Sequence, residues 1–228
     1  MTTVAIHQPE YFPWPGFLDK ARRADVLVLL DDVQFDRSSL QHRARVAATD
    51  GLAWMTLPFV HRFPQRIDEV ELADERWRVK HWKTLEACYG RAAGFAAAAP
   101  SLRALFERPA RRLVDVTIPS VELLLHAFGV TTRVVRASSM DTPGEKSARV
   151  LALCQALGAT RYLSGRTGAA YLDGAAFSEA GISVEIQAFD LPTYARHRPL
   201  PEETRGLSAL DAWLCLGNQS SSLLTSLP

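Results

Sequence analysis

Two short apolar runs flank a proline-rich segment at the start of the chain. Residues 4–6 and 26–30 show no polar alternation, which is typical of strands covered on both faces of a sheet. The three prolines within residues 8–16 exclude a helix there, whereas residues 17–24 have helical spacing of their apolar side chains. Strand, helix and strand in this order predict a parallel pair joined by a right-handed crossover.

The remaining pattern predicts a longer alternation of helices and strands. Gly129 and Gly158 follow two helical stretches and are natural helix stops, while residues 96–100 are small and unpatterned and are interpreted as a connection. Pro119 should start a new helix or kink a continuous one. We predict one α/β domain over residues 1–228, with a mainly parallel, Rossmann-like sheet flanked by helices. The expected strands are residues 53–58, 132–137, 161–163 and 183–189, and the expected helices are residues 77–88, 111–128, 145–157, 175–180 and 207–216.

Composition narrows the class of protein. The 228 residues are 47% hydrophobic, and the formal net charge of +1 provides no field that would attract nucleic acid or an anionic membrane. No stretch is long and apolar enough to span a bilayer and no signal peptide is visible, so a cytoplasmic location is expected. Three cysteines without C-x-x-C spacing argue against a disulfide framework or a zinc site. We therefore expect no metal and no cofactor.

Polar residues follow the predicted strands, at the positions where open parallel sheets bind ligands. His7 follows the first strand, and Asp31 and Asp32 follow the second. A histidine suits general-base chemistry at neutral pH and an aspartate can orient it, although at most one of two adjacent aspartates should point into a site. In the alternative interpretation, His7 orders the proline-rich loop and both aspartates are turn residues.

Other candidate groups give weaker indications. Arg43 and Arg45 share one face of a possible strand and suit a carboxylate or a phosphate. Cys154 lies on the apolar face of a predicted helix, so we interpret it as an inert core residue rather than a nucleophile. Signatures of serine hydrolases, P-loop NTPases, dehydrogenases and zinc proteases do not occur in the sequence.

Several segments resemble the WbqC-like protein family and follow one another in the family order. The most specific are residues 7–17 (HQPEYFPWPGF) with Lys20, and residues 31–35 (DDVQF), followed by residues 42–45. The chain departs from the family at His42, where asparagine is usual, and at residues 215–217, where Asn-Leu-Gly is frequent. Its substrate can therefore differ from that of other members. Further matches are residues 54–58, 162–172 and 207–217.

The resemblance implies an acyl or aminoacyl transferase that forms an amide on a small-molecule amine. Family members occur among genes for O-antigen sugars and natural products, so an amino sugar is one expected acceptor, and the acyl donor would be carried on an acyl carrier protein or coenzyme A. His7 would take the proton of the amine, one aspartate would orient His7, and Ser164 with Gly165 would stabilise the oxyanion. The expected catalytic residues are His7, Asp31 and Asp32, and the expected substrate-binding residues are Gln8, Tyr11, Trp14, Lys20, Gln34, Arg43 and Ser164.

Two other functions stay open. The segment after the first strand partly resembles the opening loop of nucleotidyltransferase-like folds, which would indicate an ATP-dependent amide ligase. Trp14 and Phe17, however, stand where the two histidines of the H-x-G-H motif are expected. The third interpretation is a non-catalytic sugar-binding pathway protein with a purely structural His7. Aromatic surface from Tyr11, Phe12 and Trp14 is expected to wall the pocket.

Overall fold

The computed structural model describes residues 1–48, 51–197 and 206–225. Its main sheet has five parallel strands, and a two-stranded antiparallel hairpin forms a second sheet. The strands are β1 (Thr3–His7), β2 (Val26–Leu29), β3 (Arg43–Ala48), β4 (Gly51–Thr56), β5 (Arg133–Arg136), β6 (Arg161–Ser164) and β7 (Ser183–Ile186). The α-helices are α1 (Pro15–Arg22), α2 (Arg76–Tyr89), α3 (Phe95–Glu107), α4 (Val114–Ala127), α5 (Lys146–Ala156), α6 (Arg166–Ala169), α7 (Gly174–Glu179), α8 (Ala209–Leu216) and α9 (Ser220–Thr225).

β1 forms the centre of the main sheet because it pairs with a strand on each side. The order is β5-β2-β1-β6-β7, and Val4 pairs with Val26 on one side and with Tyr162 on the other. The predicted α/β fold with a mainly parallel sheet is confirmed, as is the parallel pairing of β1 and β2 across α1. α1 begins at Pro15, earlier than predicted, since proline is favoured in the first turn of a helix.

The chain reverses its direction of travel across the sheet at β1. From β1 it continues through β2 to β5 on one side, and later it adds β6 and β7 on the other side. Doubly-wound sheets bind their ligands at such a reversal, in the crevice outside the carboxyl ends of the two flanking strands. His7 ends β1 and Ser164 ends β6, so these two residues mark the crevice.

Alternate residues of the central strands are buried in two different cores, one on each face of the sheet. Ala5 faces the larger core, which includes α1 and the helices α2 to α4. Val4 faces the smaller core, with Leu153 of α5 and Phe177 of α7. Coverage on both faces explains the absence of polar alternation in β1 and β2. Within the described ranges, every helix is too short or too polar to traverse a bilayer.

The segment between β2 and β5 folds into the β3–β4 hairpin and three packed helices. The interpretation of residues 96–100 as a connection is wrong, since they lie inside α3. Alanine has the highest helix propensity, and burial of side chains such as Leu102 outweighs the hydrogen bond that the internal proline removes. α4 likewise continues through Pro119, and Gly129 follows its end with a φ of 68°, as expected for a C′ glycine.

Candidate functional site

A cavity of about 630 Å³ opens at the carboxyl ends of β1 and β6, where the chain reverses across the sheet. This volume lies in the usual range for small-molecule sites. The cavity is called the switch-point pocket below. Of the residues expected from the sequence, it contains His7, Gln8, Trp14 and Lys20. Its other lining residues include Glu10, Gly165, Arg166, Tyr171, Gln187 and Phe189.

His7 presents a neutral imidazole to the pocket. Its Nδ1 lies 3.0 Å from the carbonyl oxygen of Gln8, which can only accept, so Nδ1 carries the proton and Nε2 is an acceptor. Burial, together with the charge of Lys20, lowers the pKa of His7 to about 3. The ring of Phe17 packs edge-on against the imidazole, with 4.7 Å between ring centroids. At neutral pH His7 therefore holds a free lone pair on Nε2.

Glu10 places a buried carboxyl group in the wall of the pocket. The residue is 8% exposed, and within the described chain its Oε2 atom has no hydrogen-bond partner. Its Oε1 atom lies 3.9 Å from Nδ1 of His7. Burial raises the pKa of Glu10 to about 8, against the opposing effects of Lys20 and of the Trp14 backbone. At pH 7 most molecules therefore carry a protonated Glu10 beside a neutral imidazole.

Lys20 brings a buried amine from α1 to the same pocket. It is 3% exposed, and its Nζ donates a hydrogen bond to the carbonyl oxygen of Ile6 at 3.2 Å. Burial lowers the pKa of Lys20 to about 8, an effect that the Glu10 carboxyl opposes. Gly165 keeps space open beside the amine, because a Cβ atom there would already lie 3.8 Å from Nζ. Any longer side chain at position 165 would enter the space that a ligand of Lys20 needs.

The segment after β7 holds the outer wall of the pocket. Nε2 of Gln187 donates to the carbonyl oxygen of Gly16 and to the Asp19 carboxylate, both at 2.8 Å. Phe189 packs edge-on against Trp14, with 5.5 Å between ring centroids. Glycine at position 16 allows the indole to occupy this place, because a Cβ atom there would lie 2.1 Å from Cη2 of Trp14 and the ring would have to move. Trp14 and Phe189 also border a smaller cavity of about 420 Å³, so the pair divides the two spaces.

Asp31 lies outside the switch-point pocket, contrary to expectation. Its carboxylate is fully buried and accepts hydrogen bonds from Nε of Arg136 at 2.6 Å and from the backbone and hydroxyl of Ser138 at 2.9 and 2.8 Å. These donors bind both carboxylate oxygens, and on His7 the carbonyl oxygen of Gln8 takes the place expected for an aspartate. Asp31 therefore ties β2 to β5, and the structure assigns it no contact with His7.

Asp32 and Gln34 line a neighbouring cavity of about 690 Å³. Asp32 accepts a hydrogen bond from Arg149, and its other carboxylate oxygen has no partner within the described residues. The neighbouring cavity shares Gln8 and Leu30 with the switch-point pocket. The single pocket expected from the sequence is thus two adjoining ones, and Asp32 does not orient His7.

Tyr11 and Phe12 belong to the core rather than to the pocket. Tyr11 is fully buried, and its hydroxyl forms a hydrogen bond with Nδ1 of His81 at 2.9 Å. Phe12 is also buried, with a positive φ of 44°, and its backbone N–H donates to the hydroxyl of Ser120 at 3.0 Å. Of the three aromatic residues expected to line the pocket, Trp14 does so, whereas Tyr11 and Phe12 do not.

Ser164 and Arg43 are likewise engaged elsewhere. Ser164 is fully buried, and its hydroxyl donates to the carbonyl oxygen of Gly165 at 3.1 Å. Arg43 lies on β3 and donates to the carbonyl oxygens of Ser38 and Ser39. Neither residue lines the switch-point pocket, so the structure does not place them with His7 and Lys20 in one site.

The buried thiols are unsuited to nucleophilic catalysis. Burial raises the pKa of Cys154 to about 12 and that of Cys215 to about 11, so both are protonated at neutral pH. Cys215 lies 3.5 Å from Nδ1 of His197, outside the switch-point pocket. In the part of the chain that the structure describes, no three His, Cys, Asp or Glu residues are grouped as a metal site.

The expected set lacked several lining residues, among them Glu10, Arg166, Tyr171 and Gln187. A sequence signal existed for Glu10, since it lies three residues after His7, in the loop that follows the first strand. Arg166 and Tyr171 follow β6, and Gln187 follows β7. The rule that ligands bind at the carboxyl ends of strands points to all three positions.

Sequence relatives extend over nearly the whole chain. The family model described as WbqC-like protein family matches residues 8–222. A protein of Mycobacterium tuberculosis (strain ATCC 25618 / H37Rv), described as "Uncharacterized protein Rv1507c", is 30% identical over 203 residues, which is 88% of this chain and 87% of that protein. The matched range therefore includes the lining residues from Gln8 to Phe189, whereas Ile6 and His7 precede it.

Proposed function

The chain belongs to the WbqC-like protein family, and we propose that it transfers an acyl or aminoacyl group to the amine of a small molecule in the switch-point pocket. One observation carries the proposal. His7, Glu10 and Lys20, three titratable side chains with displaced pKa values, converge in a single cavity at the reversal of the sheet. Such groups in a cleft are typical of sites that move protons, and amide formation requires the amine to lose one.

His7 receives the proton of the attacking amine. Nε2 has a lone pair at neutral pH, and the carbonyl of Gln8 holds the ring in the required tautomer. A pKa of about 3 makes His7 a weak base in the free protein, and the charge of Lys20 contributes to that value. Negative charge that develops beside Lys20 during the reaction offsets this contribution, so His7 becomes a stronger base as the amine attacks.

Lys20 stabilises the negative charge that develops on the acyl carbonyl oxygen. Its amine is buried beside Gly165, where electrostatic interactions are stronger than in solvent. This role was expected for Ser164, whose hydroxyl is instead bound to a carbonyl oxygen. The positive charge of Lys20 is already in position when negative charge develops on the carbonyl oxygen of the substrate.

The reaction balances without a covalent intermediate on the protein. The N–C bond of the amide forms while the C–S bond of a thioester donor breaks, and the amine proton passes through Nε2 of His7 to the leaving thiolate. The donor is an acyl or aminoacyl group carried on coenzyme A or an acyl carrier protein. Cys154 and Cys215 take no part, since their thiols are protonated at neutral pH.

An ATP-dependent amide ligase is the second candidate. The strand order resembles that of nucleotide-binding doubly-wound sheets, and Lys20 and Arg166 are cations suited to phosphate groups. ATP would then activate the acid before the same attack by the amine. Against it, residues 8–14 form a long loop after β1 in place of a glycine-rich turn that cradles phosphates. We therefore favour the acyl or aminoacyl transferase over the ATP-dependent ligase.

A mass-spectrometric screen of acceptors against donors tests the proposal. The acceptors are amino sugars and amino acids, and the donors are acyl-coenzyme A, acyl carrier protein thioesters, and free acids with ATP. Amide product without ATP supports the transferase, whereas product that requires ATP and releases AMP or ADP supports the ligase. Micromolar sugar binding without turnover, retained in His7→Ala, would point to a binding protein and contradict both.

Two variants separate the assigned roles once a product is found. His7→Ala should lower kcat by about 10²–10⁴-fold, since a general base is lost. Lys20→Met should lower kcat by about 10²–10³-fold, the usual cost of removing an oxyanion donor. His126→Ala, at an exposed position of α4, is the matched control with unchanged activity. Full activity of His7→Ala would refute the base assignment alone.

A further inference from the structure

Glu10 and Lys20 retain hydrogen-bonding capacity that the protein does not use. Oε2 of Glu10 is buried without a partner among the described residues. Nζ of Lys20 has three donors as an ammonium group, and Ile6 accepts the one hydrogen bond that the described chain provides. Leaving buried polar groups unsatisfied destabilises a fold, so both are expected to meet a ligand in the cavity that they line.

We propose that Glu10 and Lys20 bind the two ends of an α-amino acid, with the ammonium group on Glu10 and the carboxylate on Lys20. An amino acid is then the group that the enzyme transfers, a statement that rests on the proposed function, whereas the binding itself does not. In the activated donor, the carbonyl oxygen of the amino acid occupies the place of the carboxylate oxygen on Lys20.

Other ligands satisfy only part of this pair. An apolar acyl group leaves Glu10 and Lys20 both unpaired, a carboxylate or phosphate serves Lys20 alone, and a simple amine serves Glu10 alone. His7 cannot replace Glu10 in the free protein, because its Nδ1 is already bound to Gln8 and its Nε2 is the proposed proton acceptor. A zwitterion with adjacent charges supplies a donor and an acceptor together.

The pocket also has space for the other reacting groups. Its volume of about 630 Å³ exceeds that of a small amino acid, which leaves room for the activating group and for an acceptor amine near His7. Arg166 lines the same cavity and is exposed, so it is placed for the charged part of a donor carrier rather than for the buried amino acid.

Proton release gives this binding mode a measurable signature. Burial keeps most Glu10 protonated at pH 7, and an ammonium group at Oε2 stabilises the ionised form. Glycine binding should therefore release about one proton per site. Acetate, which contacts Lys20 only, should release none.

Isothermal titration calorimetry at pH 7, in two buffers of different ionisation enthalpy, tests the inference on the full chain. Glycine should bind about tenfold or more tightly than acetate, methylammonium or inorganic phosphate, and with proton release. Glu10→Gln and Lys20→Met should each weaken glycine binding by about tenfold or more. Glu122→Gln on α4 is the exposed control and should bind normally. If Lys20→Met does not fold, the same titration is made with Lys20→Arg, which keeps the positive charge.

The outcomes separate this inference from the proposed function. Equal affinity for phosphate and glycine, or glycine binding that Glu10→Gln leaves unchanged, would overturn the amino acid site. Transfer of an acetyl group to an amine, with no glycine binding, would overturn it too while the transferase stands. Glycine binding with proton release in a protein that transfers nothing would support the site and contradict the transferase.

Discussion

Nε of Arg136 donates a 2.6 Å hydrogen bond to the carboxylate of Asp31, which ties the carboxyl end of β5 to that of β2. Ser138 completes the contact with two further hydrogen bonds to the same carboxylate. Arg136 is partly exposed, whereas Asp31 is fully buried. The Asp31 carboxylate has therefore lost its hydration and depends on the hydrogen bonds from Arg136 and Ser138 to offset that loss. The adjacent aspartates of the sequence thus have different partners, since Asp32 is bound by Arg149.

Asp31→Ala should destabilise the protein by about 3 kcal/mol, because the donors of Arg136 and Ser138 lose their buried acceptor. Urea denaturation measures this loss. Asp141→Ala, at an exposed position, should change the free energy of unfolding by less than about 0.5 kcal/mol. A stable Asp31→Ala protein that lacks activity would restore the catalytic role expected from the sequence.

Tyr11→Phe should lower the free energy of unfolding by about 1–2 kcal/mol, since Nδ1 of the buried His81 loses its partner. Ligand affinity in the switch-point pocket should not change, because Tyr11 does not line it. Tyr171→Phe is the control for stability. Tyr171 lines the pocket and is 61% exposed, so loss of its hydroxyl should change the free energy of unfolding little. Loss of affinity in Tyr11→Phe would place Tyr11 in the site after all.

Glu10→Gln should become progressively more stable than the wild type as the pH rises from 5 to 8. The pKa of Glu10 is raised from 4.5 to about 8, so between these values the folded state binds a proton that the unfolded state has lost. The contribution of Glu10 to wild-type stability therefore falls with rising pH in this window, and glutamine removes that contribution. The difference should grow by about 1.4 kcal/mol per pH unit at most. Urea denaturation of both proteins from pH 5 to 8 measures it, and a constant difference would show that Glu10 is ionised in the fold.

Gly16→Ala should weaken ligand binding while stability changes by less than about 1 kcal/mol, because the added methyl group raises helix propensity as it displaces the indole of Trp14. The displaced ring loses its edge contact with Phe189 and alters the pocket wall. Tryptophan fluorescence and calorimetry report the two effects. Gly174→Ala, where no heavy atom lies within 4 Å of the new Cβ, is the control; equal affinity of both variants would contradict the role of Trp14.

The parallel pairing of β1 and β2 could be predicted because its signal is local. Two apolar runs with a short helix between them leave few alternatives for their arrangement. The position of β6 beside β1 has no such signal, since Val4 and Tyr162 are far apart in the sequence. Residues 96–100 were misinterpreted because only Ala98 among them is buried, so their small side chains do not show the apolar periodicity of a helix.

The candidate site was predicted in part. His7, Gln8 and Lys20 line the switch-point pocket, and their assignment to substrate or catalysis stays a prediction. Asp31 was misplaced because its partner Arg136 comes from another strand, and no local rule links the two residues. The direction of Tyr11 is set by tertiary contacts of an irregular loop, where neither helical nor strand periodicity applies.

The central position of β1 has a consequence for the order in which the protein assembles. β1 precedes β6 in the chain by more than 150 residues, so one of its edges gains its partner only after residues 161–164 have been synthesised. Until then the nascent chain exposes a row of unpaired backbone groups, the kind of edge that recruits other chains. Pairing across such a long stretch of sequence is also slow to form. The pocket at the end of β1 can therefore be complete only after β6 has paired with β1.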